Sequence, residues 1–408
     1  MKILNFGSCN IDFVYSVENI VVPGETLSSN KLDLFAGGKG LNQSIAAARA
    51  GAVVYHAGCI GSDGEMLKDV LCESGVNTDY LYTVKGKNGH AVIQVSSQGE
   101  NSIVLYPGSN FMVTKELVDK VLQNFGKDDI LLLQNEISNV PYIISKAYEK
   151  GMKIAFNPAP FDEKLKAIDF NKLTYLILNE TEAMGFTGKK EPMDSIAYIK
   201  DKYPLLTVIL TVGKEGCICS YADKILKQSA YKVNVVDTTA AGDTFTGYFL
   251  SCVCKGMSIE KALKISSAAS AVTVSGMGAA PSIPTMNKVD AAIKEMKEYT
   301  NSTLNKSAVI YKYIDENLKT ANLNELSRIF GYTKEYTSEL VKRKIGVSFS
   351  CAVKKKRCER AAELLKSTDM SISEIIEEVG YSNETFFREN FKELYSFSPL
   401  KYRKEKQK

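Results

Sequence analysis

The stretch Val236-Asp237-Thr238-Thr239-Ala240-Ala241-Gly242-Asp243-Thr244-Phe245 decides how the rest of the chain is read. It lies between Ala230–Val236, which reads as a strand, and Thr244–Cys254, which reads as a helix. The small residues Ala240, Ala241 and Gly242 keep side chains out of the turn, so successive backbone N–H groups can face one anion. Asp243 follows at the helix start, beside that pocket. A carboxylate there is placed to take the proton of a hydroxyl that attacks a phosphoryl group. The plainer alternative is a strand–turn–helix with an Asp N-cap.

With 408 residues the chain is long enough for two domains. Its net charge of +4 is unevenly spread: residues 301–408 hold 21 Lys/Arg against 15 Asp/Glu, and the first 300 hold 30 against 32. A basic tail on a near-neutral body points to a nucleic-acid partner for the tail. Cys217 and Cys219 lie in a strand-like run, Cys252 and Cys254 in a helix-like run, and neither pair has a partner pair at zinc spacing. The nine cysteines read as buried thiols in a reducing compartment. Met1-Lys2-Ile3-Leu4 runs straight into a strand, and no apolar run reaches membrane-spanning length, so a cytoplasmic protein without a membrane partner is expected.

Upstream, Ile3–Gly7 reads as a short strand followed by Asn10 and Asp12, at the carboxyl end where open α/β sheets place ligands. Turn residues are the even alternative. In Phe35-Ala36-Gly37-Gly38-Lys39-Gly40-Leu41-Asn42-Gln43-Ser44, the glycine pair lets backbone approach a ligand closely, and Lys39 and Asn42 offer donors to hydroxyls or phosphate. The helix Ile45–Ala50 follows. Gly-Xaa4-Gly-Lys-[Ser/Thr] is absent, so this is not a Walker A loop. Apolar strand-like runs at Val53–Cys59, Ile130–Leu133, Lys153–Phe156, Tyr175–Leu178 and Thr207–Thr211 alternate with helix-like runs, which predicts a largely parallel sheet covered on both faces. Ala91–Val95 and Ser102–Leu105 read as a hairpin around Gly99.

Asn10-Ile11-Asp12, Pro23-Gly24-Glu25-Thr26, Gly37–Gln43, Asn157-Pro158-Ala159-Pro160, Asn179-Glu180-Thr181-Glu182 and Asp237–Phe245 occur in the order seen in PfkB-type carbohydrate kinases, and roughly residues 1–290 resemble that ribokinase-like family. The resemblance implies an α/β fold with a small β flap, formed around Phe13–Phe35 and His90–Leu105, that closes over the sugar and makes a homodimer contact. It implies sugar contacts at Asn10, Asp12, Gly38, Lys39, Asn42 and Glu136, a catalytic base at Asp243 and an anion hole at Ala240, Ala241 and Gly242. ATP is implied at the turn holding Thr211, Gly213 and Gly216. Asn179 and Glu182 match the motif tied to Mg²⁺ and phosphate, with a helix N-terminal box as the plain alternative. Asp237, Thr239, Gly278 and Ser282 match a monovalent-cation site taking K⁺, although the loop Ser275–Ser282 is longer than the family pattern. His90 and His56 read as structural.

After Pro284 the α/β rhythm gives way to helices. Ala308–Leu318 reads as one helix. Leu323–Phe330 with Thr333–Lys344, and Ile372–Val379 with Asn383–Leu394, read as two helix–turn–helix units joined by the basic helix Cys351–Leu365. Gly331-Tyr332 and Gly380-Tyr381-Ser382 form the turns. This layout, with Phe386-Phe387, Phe391-Lys392 and Ser398–Arg403, resembles the AraC-type DNA-binding domain, although Ser396 stands where glycine is common and Glu389 where a basic residue is common. Thr333, Lys334, Tyr336, Thr337, Glu339, Lys342 and Arg343 in the first unit, and Asn383, Glu384, Thr385 and Arg388 in the second, are candidates for reading double-stranded DNA. Lys354–Arg357 are candidates for phosphates. A solvated helical bundle is the bland alternative. The expected organisation is a kinase domain at 1–292, a linker at 293–305 and a DNA-binding domain at 306–408. The expected function is ATP-dependent phosphorylation of a sugar, ribose first, joined to transcription regulation. A sugar sensor with weak catalysis and a kinase for a nucleoside or another sugar are the alternatives.

Overall fold

The structure is a computed structural model that describes residues 1–222, 224–296, 306–330, 333–381 and 383–406. The chain divides into two compact units, residues 1–299 and 300–408.

The first unit has thirteen strands among its described residues: β1 (Ile3–Phe6), β2 (Asn10–Val17), β3 (Lys31–Gly37), β4 (Val54–Ile60), β5 (Asn77–Thr83), β6 (Gly89–Ser96), β7 (Asn101–Tyr106), β8 (Ile130–Gln134), β9 (Lys153–Asn157), β10 (Tyr175–Asn179), β11 (Thr207–Thr211), β12 (Cys217–Tyr221) and β13 (Lys224–Gln228). Nine form one sheet in the order β13-β12-β11-β10-β9-β8-β1-β4-β5. Pairing is parallel from β5 to β11 and antiparallel from β11 to β13. The central runs Ile-Leu-Leu-Leu and Tyr-Leu-Ile-Leu are buried along their length because helices cover both faces. From β1 the chain builds outward through β4 and β5 on one side and through β8 to β11 on the other. A crevice therefore opens at the carboxyl ends of β1 and β8, the place where such sheets hold ligands.

Among its described residues this unit has ten α-helices: α1 (Lys39–Arg49), α2 (Glu65–Glu73), α3 (Lys115–Leu122), α4 (Val140–Glu149), α5 (Glu180–Thr187), α6 (Pro192–Lys202), α7 (Ala241–Cys254), α8 (Ile259–Val274), α9 (Ala279–Ser282) and α10 (Met286–Glu295). Small residues let α1 approach α7 closely: a Cβ on Gly247 would lie 2.5 Å from the Ala46 side chain. The linker expected from residue 293 begins inside α10, where Ile293 and Met296 pack on the core; residues 297–305 lie outside the described residues.

Ala230–Val236 is not a strand. Only Tyr231 makes an isolated bridge, and Val235 and Val236 are exposed. The alternating Tyr231, Val233 and Val235 imitate a strand because they line a cleft, an equally one-sided environment. The polar edge strand β13 and the strand β5 were not expected from the sequence. Cys72 and Cys351 are exposed, against the expectation that all nine thiols are buried.

Four strands form a second sheet in the order β3-β2-β6-β7, with β2 parallel to β6 and the other pairs antiparallel. This is the expected flap. β2 begins at Asn10, directly after the loop that follows β1, so the flap grows out of the crevice.

The second unit is helical: α11 (Lys306–Glu316), α12 (Leu323–Phe330), α13 (Lys334–Ile345), α14 (Phe349–Ser367), α15 (Ile372–Glu378), α16 (Glu384–Tyr395) and α17 (Pro399–Lys406). Its described residues form two small cores. Ile310, Ile314, Leu326 and Val341 surround the start of α14 at Phe349 and Val353, whereas Ile375, Phe387, Phe391 and Tyr402 surround its end at Cys358 and Leu365. The two halves repeat: α13 and α16 have 12 residues each, a side-chain cap at Thr333 or Asn383, and a left-handed C-cap at Gly346 or Ser396. Helix α17, five of whose eight residues are charged, was not expected. The turn residues Gly331, Tyr332 and Ser382 lie outside the described residues. Among the described residues, no helix is long and apolar enough to cross a membrane.

Candidate active site and DNA-reading surface

Asp243 occupies the third position of α7 and is 9 % exposed. It is not the N-cap; Ala240 is, in the left-handed region at φ 61. Asn42 Nδ2 donates to Asp243 Oδ2 at 3.1 Å, and Gln43 Nε2 donates to Asp243 Oδ1 at 2.9 Å. Both donors sit on α1, which starts at Lys39 rather than Ile45. The helix reaches back this far because Gly38, at φ 93, turns the chain, and because Gly40 lets it touch the loop after β1. A Cβ on Gly40 would lie 2.3 Å from the backbone nitrogen of Ser8.

A cavity of about 210 Å³ is lined by Lys39, Asn157, Asn179, Glu182, Thr211, Thr238, Ala240, Ala241, Gly242 and Asp243. First-turn N–H groups of a helix have no intrahelical acceptor. The Ala241 N–H is directed to the Thr238 carbonyl at 3.3 Å and the Thr244 N–H to the Ala240 carbonyl at 2.8 Å; between them Gly242 and Asp243 line the cavity from the first turn. Burial works against the charge on Lys39, but Asp243, Glu136 and Glu182 outweigh it and hold the ammonium above its usual pKa. Burial raises Glu136, against the pull of Lys39 and Ser8. Burial likewise raises Glu182 despite the Asn179 hydrogen bond.

Asn10 Oδ1 accepts from Asn110 Nδ2 at 2.7 Å, which turns the Asn10 amide NH₂ away from Asn110. Burial, then Glu136, pushes the Asp12 carboxyl up to about 7. Glu136 accepts from the Ser8 hydroxyl and from the Lys39 N–H. Asn10, Asp12, Gly38, Lys39, Asn42 and Glu136 thus gather where the flap meets the ends of β1 and β8.

A larger cavity of about 580 Å³ shares Asn179, Thr211, Thr238, Ala241 and Gly242 with the first. It adds Gly213 and Gly216 and an apolar wall that includes Tyr231, Val233, Val235, Phe245, Ala271 and Val274. The wall was not expected from the sequence, because its members are scattered over three elements. Asn179 and Glu182 close a capping box on α5 while also lining the smaller cavity, so the plain reading of that motif holds beside any functional one.

Asp237 Oδ1 accepts from the Thr239 N–H and hydroxyl at 2.9 and 2.6 Å, and Oδ2 accepts from the Gly278 N–H at 3.0 Å. Burial alone would raise Asp237; these bonds outweigh it and hold it below the usual carboxylate range. Three of the four expected cation residues therefore meet, whereas the Ser282 hydroxyl donates to the Ala279 carbonyl instead. His56 is fully buried between Ser44 and Cys9, and burial depresses it to about 4. His90 contacts the rings of Phe13 and Tyr106 on the flap.

In the helical unit, Thr333, Lys334, Tyr336, Glu339, Lys342 and Arg343 are exposed on α13 or at its cap. Thr337 is not: it is fully buried and its hydroxyl donates to the Thr333 carbonyl, so it is in no position to reach a base. The helical period turns position 337 inward beside Leu340 and Val341. Asn383 at the cap of α16 and Glu384 and Thr385 on it are exposed, and Arg388 is paired with Glu384. Phe386 is 57 % exposed at the start of α16, whereas its neighbour Phe387 is core. The basic run on α14 is largely spent inside the unit. Lys354 pairs with Glu393, Lys356 pairs with Asp315, and Arg357 donates to the carbonyls of Leu318 and Lys319. Lys355 is the exposed member.

A strand-end crevice with a carboxylate, a lysine, a helix N-terminus and an apolar annex defines a phosphoryl-transfer site on an α/β sheet. The family model of the "pfkB family carbohydrate kinase" matches residues 1–286, and that of a "Helix-turn-helix domain" matches residues 326–405. The chain belongs to the pfkB family of ATP-dependent carbohydrate kinases and carries in addition a C-terminal helix–turn–helix domain of the AraC type. It is 37 % identical over 293 residues to the ribokinase of Haemophilus influenzae, covering 68 % of this chain and 94 % of that protein. The crystal structure of ribokinase from Cryptococcus neoformans var. grubii serotype A in complex with ADP aligns at a TM-score of 0.64 with 36 % identity, over 71 % of this chain and 99 % of that one. Arabidopsis thaliana ribokinase complexed with ribose and ATP aligns at 0.64 with 28 % identity, over 72 % and 98 %.

Proposed function

We propose that this protein transfers the γ-phosphoryl group of ATP to the primary hydroxyl of ribose, giving ribose 5-phosphate, and that its helical unit binds DNA and regulates transcription. The observation that carries the kinase part is the double amide grip on Asp243 in the first turn of α7. Asp243 accepts the proton of the sugar O5 hydroxyl as that oxygen attacks phosphorus, and the bond to the ADP leaving oxygen breaks. The Gly242 N–H and its neighbours at the start of α7 receive the negative charge of the transferring group. Lys39 adds positive charge to the same cavity. Asn10, Asp12, Asn42 and Glu136 supply the carboxylates and amides that suit a polyol. The apolar annex takes the adenine, and the flap excludes water that would compete as acceptor.

The oxygen donors of Asn179 and Glu182 suit a hard divalent ion held mostly through phosphates and water. Mg²⁺ there would offset charge on the triphosphate. Asp237, Thr239 and Gly278 would hold the loop before α9 around K⁺. A homodimer through the flap, in the cytoplasm, is the expected state. Sugar-driven flap closure would then alter DNA affinity through dimer geometry. Lys334, Tyr336, Lys342, Arg343, Asn383, Glu384, Thr385 and Arg388 would meet the duplex, with Thr333 as cap.

ADP release measured across a panel of pentoses, hexoses and nucleosides, with Asp243→Asn as control, tests the kinase reading. Turnover best with ribose and lost in the variant is expected; turnover only with a nucleoside would replace the sugar. Operator affinity that does not change on adding sugar and nucleotide would remove the proposed coupling.

A further inference from the structure

The amide of Gln43 carries a role that the family motif does not name. Its Nε2 donates to Asp243 Oδ1 at 2.9 Å and to Asn157 Oδ1 at 3.0 Å, while its Oε1 accepts from Gln134 Nε2 at 2.7 Å. Gln43 is 0 % exposed, so these bonds are made away from the protein surface. A glutamine amide can present either end to a carboxylate, and only the nitrogen end is attractive. The choice is made deeper in the sheet. Gln134 Nε2 also donates to Asn5 Oδ1 at 3.1 Å, and Asn5 Nδ2 donates to the Gly40 carbonyl and to Ser44 Oγ. The Ser44 hydroxyl then meets His56 Nδ1 at 2.8 Å, and His56 Nε2 meets Cys9 Sγ at 3.2 Å. With Asn5 donating to Ser44, the hydroxyl hydrogen is available for Nδ1 of a neutral imidazole, which leaves the Nε2 hydrogen for sulfur. Each donor in this chain fixes the direction of the next, and Gln134, which gives both its amide hydrogens, is the hub.

We propose that Gln43 is a positioning residue for phosphoryl transfer, and that the buried chain Gln134–Asn5–Ser44–His56 locks its amide so that Asp243 keeps one orientation and one proton-free lone pair toward the sugar. This rests on the reading of Asp243 as the base. The two oxygens of Asp243 have separate tasks for their donors. Asn42, whose own Oδ1 is buried without a protein partner, holds Oδ2, and Gln43 holds Oδ1. Loss of the Gln43 donor therefore leaves Oδ1 with one partner fewer and frees the side chain to rotate.

The test uses the full chain with ATP and the best acceptor of the sugar panel, reading kcat and both KM values. In Gln43→Met, which keeps volume and removes the donor, kcat is expected to fall by about 10- to 100-fold with both KM values within about twofold. Gln43→Glu, isosteric, sets a second carboxylate against Asp243 and should lower kcat further. Gln134→Met should give a smaller version of the same fall. An unchanged kcat in both Gln43 variants overturns the inference. So does a parallel rise of both KM values with kcat kept, the signature of a merely structural role. If Gln43→Met does not fold, Gln43→Glu alone decides by the same readings. Retained activity in Asp243→Asn would instead sink the base assignment itself, and that outcome is separate from either.

Discussion

Asn42 Nδ2 donates to Asp243 Oδ2 across 3.1 Å, between residues 201 positions apart in the chain. This bond joins the helix that follows the glycine pair to the Ala-Ala-Gly-Asp turn, so both motifs meet at one carboxylate. Replacing Asp243 by Asn keeps the shape and removes the proton acceptor. A fall in kcat of about 10²- to 10⁴-fold with little change in ATP affinity is expected, measured by ADP release and by nucleotide titration. Activity within a few-fold of wild type would rule Asp243 out as the base.

Asp12 supplies a pH signature. Its carboxyl is raised to about 7 by burial and by Glu136, above its value in an unfolded chain. The folded state therefore holds the extra proton between the two values, and stability contributed below the unfolded pKa is lost as pH rises through about 7. Relative to Asp12→Asn, wild type should lose stability over that window in urea melts. Sugar hydroxyls that donate to the ionised carboxylate should also make binding tighten as pH rises through about 7, with proton release at about pH 6 and little at about pH 8.5. Calorimetry in buffers of different ionisation enthalpy checks this; equal proton release at both values would contradict it.

Gly40→Ala should misplace the start of α1. The new methyl would meet backbone atoms of Gly7 and Ser8 at 2.3–2.5 Å, which have nowhere to go. A loss of about 1–3 kcal/mol is expected, with a raised sugar KM, read from denaturation and steady-state kinetics. A stable variant with normal KM would show that the loop yields.

Ser396 holds φ 61 at the C-cap of α16, where Gly346 holds φ 77 one repeat earlier. The left-handed region penalises a Cβ, so Ser396→Gly should stabilise the helical unit, by about 0.5–1 kcal/mol after the entropy cost of glycine. Thermal melts of the full chain, followed through the transition of that unit, test the sign. A lower melting temperature would mean that the serine hydroxyl contributes more than the strain costs.

Arg357 is committed to the carbonyls of Leu318 and Lys319 and lies 5.6 Å from the Tyr381 ring centroid. Arg357→Ala should destabilise the helical unit by about 1.5–3 kcal/mol, while the salt dependence of DNA binding stays close to wild type. A shallower salt slope with unchanged stability would return Arg357 to the phosphate-contacting set.

Much of this protein could be read in its linear order. The apolar runs of β8, β10 and β11 announced a buried parallel sheet, and the Asp237–Phe245 and Gly37–Gln43 stretches announced a helix start and a close backbone approach. Where local pattern misled, the cause was a one-sided environment of another kind. Tyr231, Val233 and Val235 alternate because they wall a cavity, not because they pair in a sheet. Thr337 looked like a DNA contact until the helical period turned it inward, and Lys354, Lys356 and Arg357 looked free until partners elsewhere in the unit were in place.

The sequence by itself determined which residue types could do phosphoryl-transfer chemistry and which repeated helical signals follow them, because spacing and side-chain size act locally. Only the tertiary structure decided which amide faces Asp243, that Gln43 and not just Asn42 holds it, and that Asn110 turns Asn10. Those contacts depend on donor directions passed between β1, α1, β8 and α7, and a hydrogen bond's direction is fixed only when both ends are in place.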